Sequence, residues 1–224
     1  FGAEGITINT RTSGYGSFTG STPSFVAVDN VISGVGRQLA VQNLSTLTVG
    51  SQLNNFANSD DITFVPGTGS NADRFAIIDA AAAPVLRFYD TSATPTLIPS
   101  GSFSLPLGAK GLLYLAPSDA VAFSALATDG AFLVAASPEG VQTQNRLVLF
   151  SPDGTQLGLS TLPTGVGSGL LGNIEALAYD GATGRLFIGD ETGANSQIAV
   201  LTIPSPSALP LVALAGLVAR RRRR

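Results

Sequence analysis

Arg74-Phe-Ala-Ile-Ile-Asp79 is the stretch that best indicates the fold, because it returns 111 residues later as Arg185-Leu-Phe-Ile-Gly-Asp190. Both copies begin with arginine, end with aspartate and hold apolar residues between. A short apolar run bounded by polar residues predicts a β-strand, and a continuous apolar centre predicts a strand that is covered on both faces.

Further runs of this kind surround the two copies and form triplets that recur about every 55 residues. Turn sequences between the runs favour tight connections, as in Asp129-Gly130, Asp180-Gly181 and Ser151-Pro-Asp-Gly154. A fainter copy of the pattern, at 25–28 and 38–41, precedes the triplets, and a further strand is expected at 156–160. The nine predicted strands of the triplets are 61–65, 74–79 and 85–90, then 120–124, 131–136 and 146–150, then 174–179, 185–190 and 197–202.

Repeated antiparallel units on this scale resemble the four-stranded blades of β-propellers, which stack radially and so cover both faces of each sheet. The resemblance implies an all-β, propeller-like body. Three clear units and one faint one are fewer than most closed propellers contain, so we expect an incomplete propeller with sequence missing before Phe1. The alternative is a β-sandwich, which would show spaced strands without a true repeat.

Composition agrees with a turn-rich β protein, since the chain has 26 glycines, 13 prolines and only 12% charged residues. Five of the 12 basic residues lie at 220–224. Residues 1–202 therefore carry seven basic residues against all 15 acids, a net charge of 7 − 15 = −8. A body of this charge argues against a nucleic-acid partner.

The chain contains no histidine and no cysteine, which excludes the common catalytic relays and thiolate or imidazole metal sites for this sequence. Enzymatic activity is therefore not the favoured reading, and no catalytic residue is assigned. The remaining candidates are Asp79 and Asp190, which end equivalent strands and could bind Ca²⁺ if their strand ends converge. Each could instead accept hydrogen bonds from turn amides. Arg74 and Arg185 are expected to pair with acids of their own repeats.

The last 21 residues have three parts, which are a Pro/Ser segment, an apolar run at 208–219 and a basic cluster. A helix over the apolar run would be about 18 Å long, which is shorter than the roughly 30 Å hydrocarbon core of a bilayer. The basic cluster favours the cytoplasmic side, which leaves the body outside. The first part is Pro204, Ser205, Pro206 and Ser207, and the third is Arg220, Arg221, Arg222, Arg223 and Arg224.

This order of parts resembles the PEP-CTERM sorting signal of exported bacterial proteins, in which Val-Pro-Glu-Pro-Ser/Ala precedes an apolar stretch and an arginine cluster. Here Ile203-Pro-Ser-Pro-Ser207 stands in that place, with Ser205 where the family usually has glutamate. The resemblance covers residues 203–224 and implies an exosortase-like processing enzyme as partner, a C-terminal hydrophobic helix in the membrane, and export to the envelope or extracellular matrix.

The sequence thus predicts an exported propeller-like domain over residues 1–202 and a sorting and membrane-anchor segment over 203–224. Three functions stay open, of which the last is a purely polymeric matrix component whose repeats only fill space. The first is a structural or binding role at the envelope or in the matrix, toward a matrix or surface partner. The second is a calcium-dependent hydrolase of the phosphoesterase or lactonase kind, which would use clustered carboxylates.

Overall fold

The structure, a computed structural model, describes residues 3–9, 24–29, 37–43, 49–56, 59–67, 72–79, 82–91, 96–137, 145–162, 174–190 and 197–203. For the first four of these segments it describes the course of the backbone alone. The predicted C-terminal helix and the sorting segment from Pro204 onward lie outside the described residues.

Fifteen strands are described, and they form four antiparallel sheets, which we number I to IV. Sheet I contains β1 (Ala3–Asn9), β2 (Ser24–Asp29), β3 (Arg37–Asn43) and β4 (Val49–Phe56). Sheet II contains β5 (Ser59–Val65), β6 (Arg74–Asp79), β7 (Val85–Asp90) and β8 (Leu97–Ser104). Sheet III contains β9 (Ala109–Leu115), β10 (Ala131–Ala136), β11 (Arg146–Phe150) and β12 (Gln156–Thr161), and sheet IV contains β13 (Ile174–Asp180), β14 (Arg185–Asp190) and β15 (Gln197–Thr202).

Each sheet is built from consecutive strands in chain order, and the first strands of neighbouring sheets lie beside one another. β1 contacts β5, β5 contacts β9, and β9 contacts β13. This is the arrangement of propeller blades around their inner strands, so the propeller-like prediction is confirmed at this level and the β-sandwich alternative is wrong. The described residues show a succession of four such sheets and do not show a closed ring.

Sheet III lies between two apolar cores, as the side chains of β10 show. Phe132 and Val134 pack with sheet II, whereas Leu133 and Ala135 pack with sheet IV. Because successive side chains of a strand point to opposite faces, a strand that is buried on both faces needs an unbroken apolar run. All six residues of β10 are buried, as are residues 75–78 of β6 and 147–150 of β11, which confirms the prediction for these three strands. In β14 the burial alternates, so that the prediction holds for one face only.

The two similar segments at 74–79 and 185–190 occupy equivalent places, because they form β6 and β14, which are both the second strands of their sheets. The remaining strands of the outer two triplets are also confirmed, as are those at 131–136, 146–150 and 156–160 and the faint copy at 25–28 and 38–41.

One predicted strand is wrong. Residues 120–124 do not form the first strand of the middle triplet, since they belong to helix α1 (Pro117–Ala120) and the turns that follow it. Pro117 opens the helix, where its missing N–H costs nothing, and Ala120 is fully buried. The first strand is β9 instead, whose Lys110 and Gly111 interrupt the apolar pattern.

The predicted turns are only partly as expected. Ser151-Pro-Asp-Gly154 joins β11 to β12 directly, with Gly154 at φ +89°. Asp180 opens the turn between β13 and β14 by accepting a hydrogen bond from the Ala182 amide at 3.0 Å, but the positive φ falls on Gly184 rather than on Gly181. Asp129-Gly130 does not close a tight hairpin, because α1 and its turns lie between β9 and β10.

Candidate functional site

The structure places the two predicted metal ligands at the same end of their sheets. Asp79 lies opposite Ser59, the first residue of β5, and Asp190 lies opposite Ile174, the first residue of β13. Asp29 occupies the equivalent position in sheet I, opposite Ala3, and Ala136 occupies it in sheet III. The aspartate therefore recurs in three of the four sheets, and the copy at Asp29 was missed because its strand pattern is faint.

Each of the two predicted ligands already has a protein partner. The Arg87 Nε donates to Asp79 Oδ2 at 2.6 Å, and Gln197 Nε2 donates to Asp190 Oδ2 at 3.1 Å. A guanidinium beside Asp79 neutralises the charge that a cation would need. Within the described ranges, no group of three or more acids is placed to hold a metal ion. Calcium binding through Asp79 and Asp190 stays a prediction. The contacts of both side chains are those of structural acids at strand ends.

The same end of the sheets carries a repeated irregularity in the first strands. The pairing of the first with the second strand is shifted near the start of each sheet, which places a charged residue at a β-bulge every time. Lys110 and Glu175, from sheets III and IV, form an ion pair of 3.1 Å across the boundary between the sheets. The bulged residues are Glu4, Asp60 with Asp61, Lys110 and Glu175.

Asp61 connects sheets II and III. Its Oδ2 accepts a hydrogen bond of 2.6 Å from the Leu112 amide of β9, and its Oδ1 accepts one of 2.8 Å from the Ile62 amide. Burial raises the pKa of the Asp61 carboxyl well above its usual range, although the two backbone hydrogen bonds act in the opposite direction. These contacts describe a structural acid that holds two first strands together.

A cavity of about 690 Å³ lies at the opposite end, between sheets II and III. Its position follows from the register, because Val65, Arg74 and Asp90 form one row across β5, β6 and β7 at the end away from Asp79. Aromatic side chains from both sheets pack together nearby, with ring centroids 5.4 to 6.4 Å apart in the cluster of Phe88, Phe103, Phe132, Phe150 and Tyr114.

Arg74 is the cation of this cavity. Its guanidinium carbon lies 4.0 Å from the centroid of the fully buried Phe88 ring, an ordinary cation–π distance. Burial lowers the pKa of Arg74, while its electrostatic interaction with Tyr114 acts in the opposite direction. The predicted ion pair with an acid of its own repeat is not found among the described residues.

Tyr114, in β9, interacts electrostatically with both a cation and an acid. Burial raises the pKa of the Tyr114 hydroxyl, nearby Arg74 lowers it and Asp129 raises it. The side chain reaches Gly130, where an added Cβ would come within 2.5 Å of the Tyr114 oxygen. Gly130 also has φ +88°, so glycine meets both a steric and a backbone requirement at this corner of the cavity.

Three acids accompany Arg74 around the cavity, and two of them hold loops in place. Asp73 Oδ1 accepts from the Gly67 amide at 2.7 Å, and Asp90 accepts from the amide and hydroxyl of Thr96 at 3.1 and 2.5 Å. Asp129 is exposed. The formal charge of the lining is therefore negative, with one basic residue against three acids.

Sequence reasoning did not find this cavity, although a signal for it was present. Asp73, Arg74, Asp90 and Asp129 all stand at strand borders that an antiparallel repeat brings to one end. What the sequence did not reveal is that β9, rather than residues 120–124, lies beside β5. The apolar remainder of the lining includes Val65, Pro66, Ile98, Pro117 and Pro152.

The sorting motif and the basic cluster lie outside the described residues. Ile203, the residue before the motif, is described, and its amide donates to the Gly184 carbonyl at 2.8 Å. No helix within the described residues has the length and apolar character that crossing a membrane requires.

No known protein family matches this chain, and no curated protein matches it. Among solved structures, the chain is similar to the β-propeller domain of Cps50 (Swd1) from Myceliophteria thermophila, at 13% identity and a TM-score of 0.45. It is also similar to a crystal structure of the eukaryotic initiation factor, at 11% identity and a TM-score of 0.33. Both comparisons cover 82% of this chain and 50% of the other, so the chain spans about half the length of these structures. Because both scores are under 0.5, the blade-like assignment depends on this chain's own sheet order and register.

Proposed function

We propose that the chain is a protein of the cell envelope or extracellular matrix with a binding role. The observation that carries the proposal is the cavity between sheets II and III, whose volume of about 690 Å³ is within the range of small-molecule sites. Prolines at 66, 117 and 152 stiffen its rim, since proline fixes φ. A rigid rim around polar groups suits recognition, because it loses little conformational entropy when a ligand binds.

The binding role is tested by thermal-shift screening of the purified protein against neutral and acidic saccharides, amino acids and phosphate compounds. A ligand of this cavity is expected to raise the unfolding midpoint. Ser100→Phe places a large side chain at an exposed lining position and should weaken binding at least tenfold. Ser160→Phe, at an exposed position of β12 outside the lining, is the matched control. A protein that no compound stabilises would contradict the binding role.

Export is the second part of the proposal, and the order of parts in residues 203–224 supports it. An apolar run followed by five arginines favours insertion with the arginines on the cytoplasmic side, and an exosortase-like enzyme would then process the segment. Cells that carry the full gene are fractionated beside cells that carry it without residues 204–224. The full protein is expected in the envelope fraction and the shortened one in the soluble fraction. Equal release of both forms would contradict membrane-dependent sorting.

The calcium-dependent hydrolase is distinguished from this proposal by titration. Micromolar Ca²⁺ binding that is abolished by Asp79→Ala or by Asp190→Ala would favour the hydrolase. Because Arg87 contacts Asp79 and Gln197 contacts Asp190, we expect that neither aspartate binds Ca²⁺.

A further inference from the structure

We propose that the cavity between sheets II and III binds an acidic sugar, with the carboxylate of a uronic acid unit held by Arg74. The inference rests on the binding role proposed above and names the ligand class for the same site. Four features of the cavity carry it, and they concern Arg74, the charge of the lining, the hydroxyl groups and the size.

The position of Arg74 favours a planar anion. The guanidinium carbon lies 4.0 Å from the centroid of the Phe88 ring, and Arg74 lines the cavity. A guanidinium presents five N–H donors in a flat fork, and a carboxylate accepts two of them side by side. No ion pair of Arg74 is found within the described part of the chain, and the residue is half-buried. A bound carboxylate would compensate the solvation that Arg74 has lost.

The charge of the lining selects the kind of anion. Asp73, Asp90 and Asp129 surround the same cavity as Arg74, so the lining has a formal charge of −2. A phosphate dianion would meet this charge with twice the repulsion that a carboxylate meets. A ligand with a single negative charge next to Arg74 and neutral polar groups elsewhere fits the lining better.

The neutral polar groups of the ligand are best supplied as hydroxyls. The cavity is lined by the hydroxyls of Ser100, Thr128 and Tyr114, which can both donate and accept hydrogen bonds. The carboxylate of the exposed Asp129 can accept further hydrogen bonds. An amino acid would bring a carboxylate and one ammonium group, which matches Arg74 and Asp129 but leaves the three hydroxyls without partners. A polyhydroxylated carboxylic acid matches both sets.

The volume sets the length of the ligand. A cavity of about 690 Å³ exceeds what one monosaccharide fills, so the uronic acid unit is expected within a short oligosaccharide. The apolar part of the lining, Val65, Ile98 and the three prolines, would contact the C–H faces of the sugar rings.

The experiment is isothermal titration of the whole chain with di- and trigalacturonate, the same saccharides as methyl esters, neutral oligoglucose, and glutamate. Saturable binding of the oligogalacturonates is expected, with at least a tenfold loss on esterification. Arg74→Gln should cause a similar loss, and Arg74→Lys an intermediate one, because lysine keeps the charge but not the fork. Arg185→Gln is the matched control, since Arg185 begins the equivalent strand of sheet IV, is exposed and does not line the cavity.

The outcomes separate the two proposals. No binding of oligogalacturonate at millimolar concentration, or binding that Arg74→Gln leaves unchanged, overturns the acidic-sugar assignment. If the neutral saccharides or glutamate bind more tightly and Ser100→Phe weakens them, the binding role stands and the ligand class is wrong. Circular dichroism of Arg74→Gln and Arg185→Gln checks that both variants are folded.

Discussion

At the scale of single residues, Asp61 holds sheets II and III together through hydrogen bonds, although burial of its charged carboxylate is unfavourable. The side chain is 7% exposed and accepts backbone hydrogen bonds from both β5 and β9. Its raised pKa means that the folded chain binds a proton more tightly than the unfolded chain, in which an aspartate titrates near pH 4. The stability that this protonation contributes is therefore complete below about pH 4 and is lost as the pH rises through the folded pKa.

We expect the free energy of unfolding of the wild type to fall relative to that of Asp61→Asn as the pH is raised from about 4 to 7. The reason is that the asparagine carries no charge at any pH. Urea denaturation followed by circular dichroism at three pH values measures the difference.

Asp153→Asn provides a control of opposite sign. A hydrogen bond from the Ser151 hydroxyl lowers the pKa of this exposed acid, so its contribution is present above about pH 4 and is lost as the pH falls. A difference between wild type and Asp61→Asn that stays flat with pH would contradict the account of Asp61.

At the scale of elements, β5 and β9 are joined by side chains of one strand that bond to the backbone of the other. Besides Asp61, the Thr63 hydroxyl accepts a hydrogen bond of 3.1 Å from the Tyr114 amide. The hydrogen bonds of Asp61 and Thr63 are two residues apart along both strands, so both side chains lie on the same side of β5, which faces β9. Blade-like sheets have no shared strand ladder, so such bonds fix how far one first strand can slide along the next.

Thr63→Val is expected to lower the free energy of unfolding by about 1–3 kcal/mol, because it keeps the shape but leaves the Tyr114 amide without its acceptor. Thr63 is 6% exposed, so water cannot readily replace the hydroxyl. The measurement is urea denaturation, with Thr161→Val at an exposed position of β12 as the control. Equal stability of the two variants would show that the cross-strand bond contributes nothing.

At the scale of the whole molecule, sheet III is the common member of the two cores. Phe132 is fully buried and contacts Phe88 and Phe103 of sheet II at 5.7 and 6.2 Å between ring centroids. Leu133, the next residue, packs with sheet IV. Because neither core can open without exposing one face of sheet III, we expect sheets II to IV to unfold together.

Phe132→Ala is expected to cost about 3–5 kcal/mol, as is usual when a large aromatic side chain is removed from a core. The loss should appear as one shifted transition, with the far-ultraviolet and the near-ultraviolet tyrosine signals of circular dichroism changing together. Leu159→Ala, at a side chain that is 57% exposed, is the control and should stay within about 0.5 kcal/mol. Two separate transitions would contradict a shared core.

The sequence by itself determined the strands of the outer triplets and the equivalence of β6 with β14. These are local properties, because a buried strand needs an apolar run and a turn needs residues that tolerate its backbone angles. It also identified Asp79 and Asp190 as equivalent strand-ending acids and identified the three-part terminal segment. It misplaced the first strand of sheet III, because Lys110 and Gly111 break the apolar run of β9. Residues 120–124 do form an apolar run, but Ala120 is buried as part of a helix and not of a strand.

Only the tertiary structure decided which strands lie side by side, and the cavity depends on that. Arg74 looked like half of an ion pair, yet it lies on Phe88, whose own position is set by Phe132 from another sheet. Asp61 and Thr63 looked like ordinary polar residues of a strand, yet they bond to β9, 51 residues away in the chain. The physical reason is that a side chain's partners depend on contacts between distant segments, whereas strand formation depends largely on the residues of the segment itself.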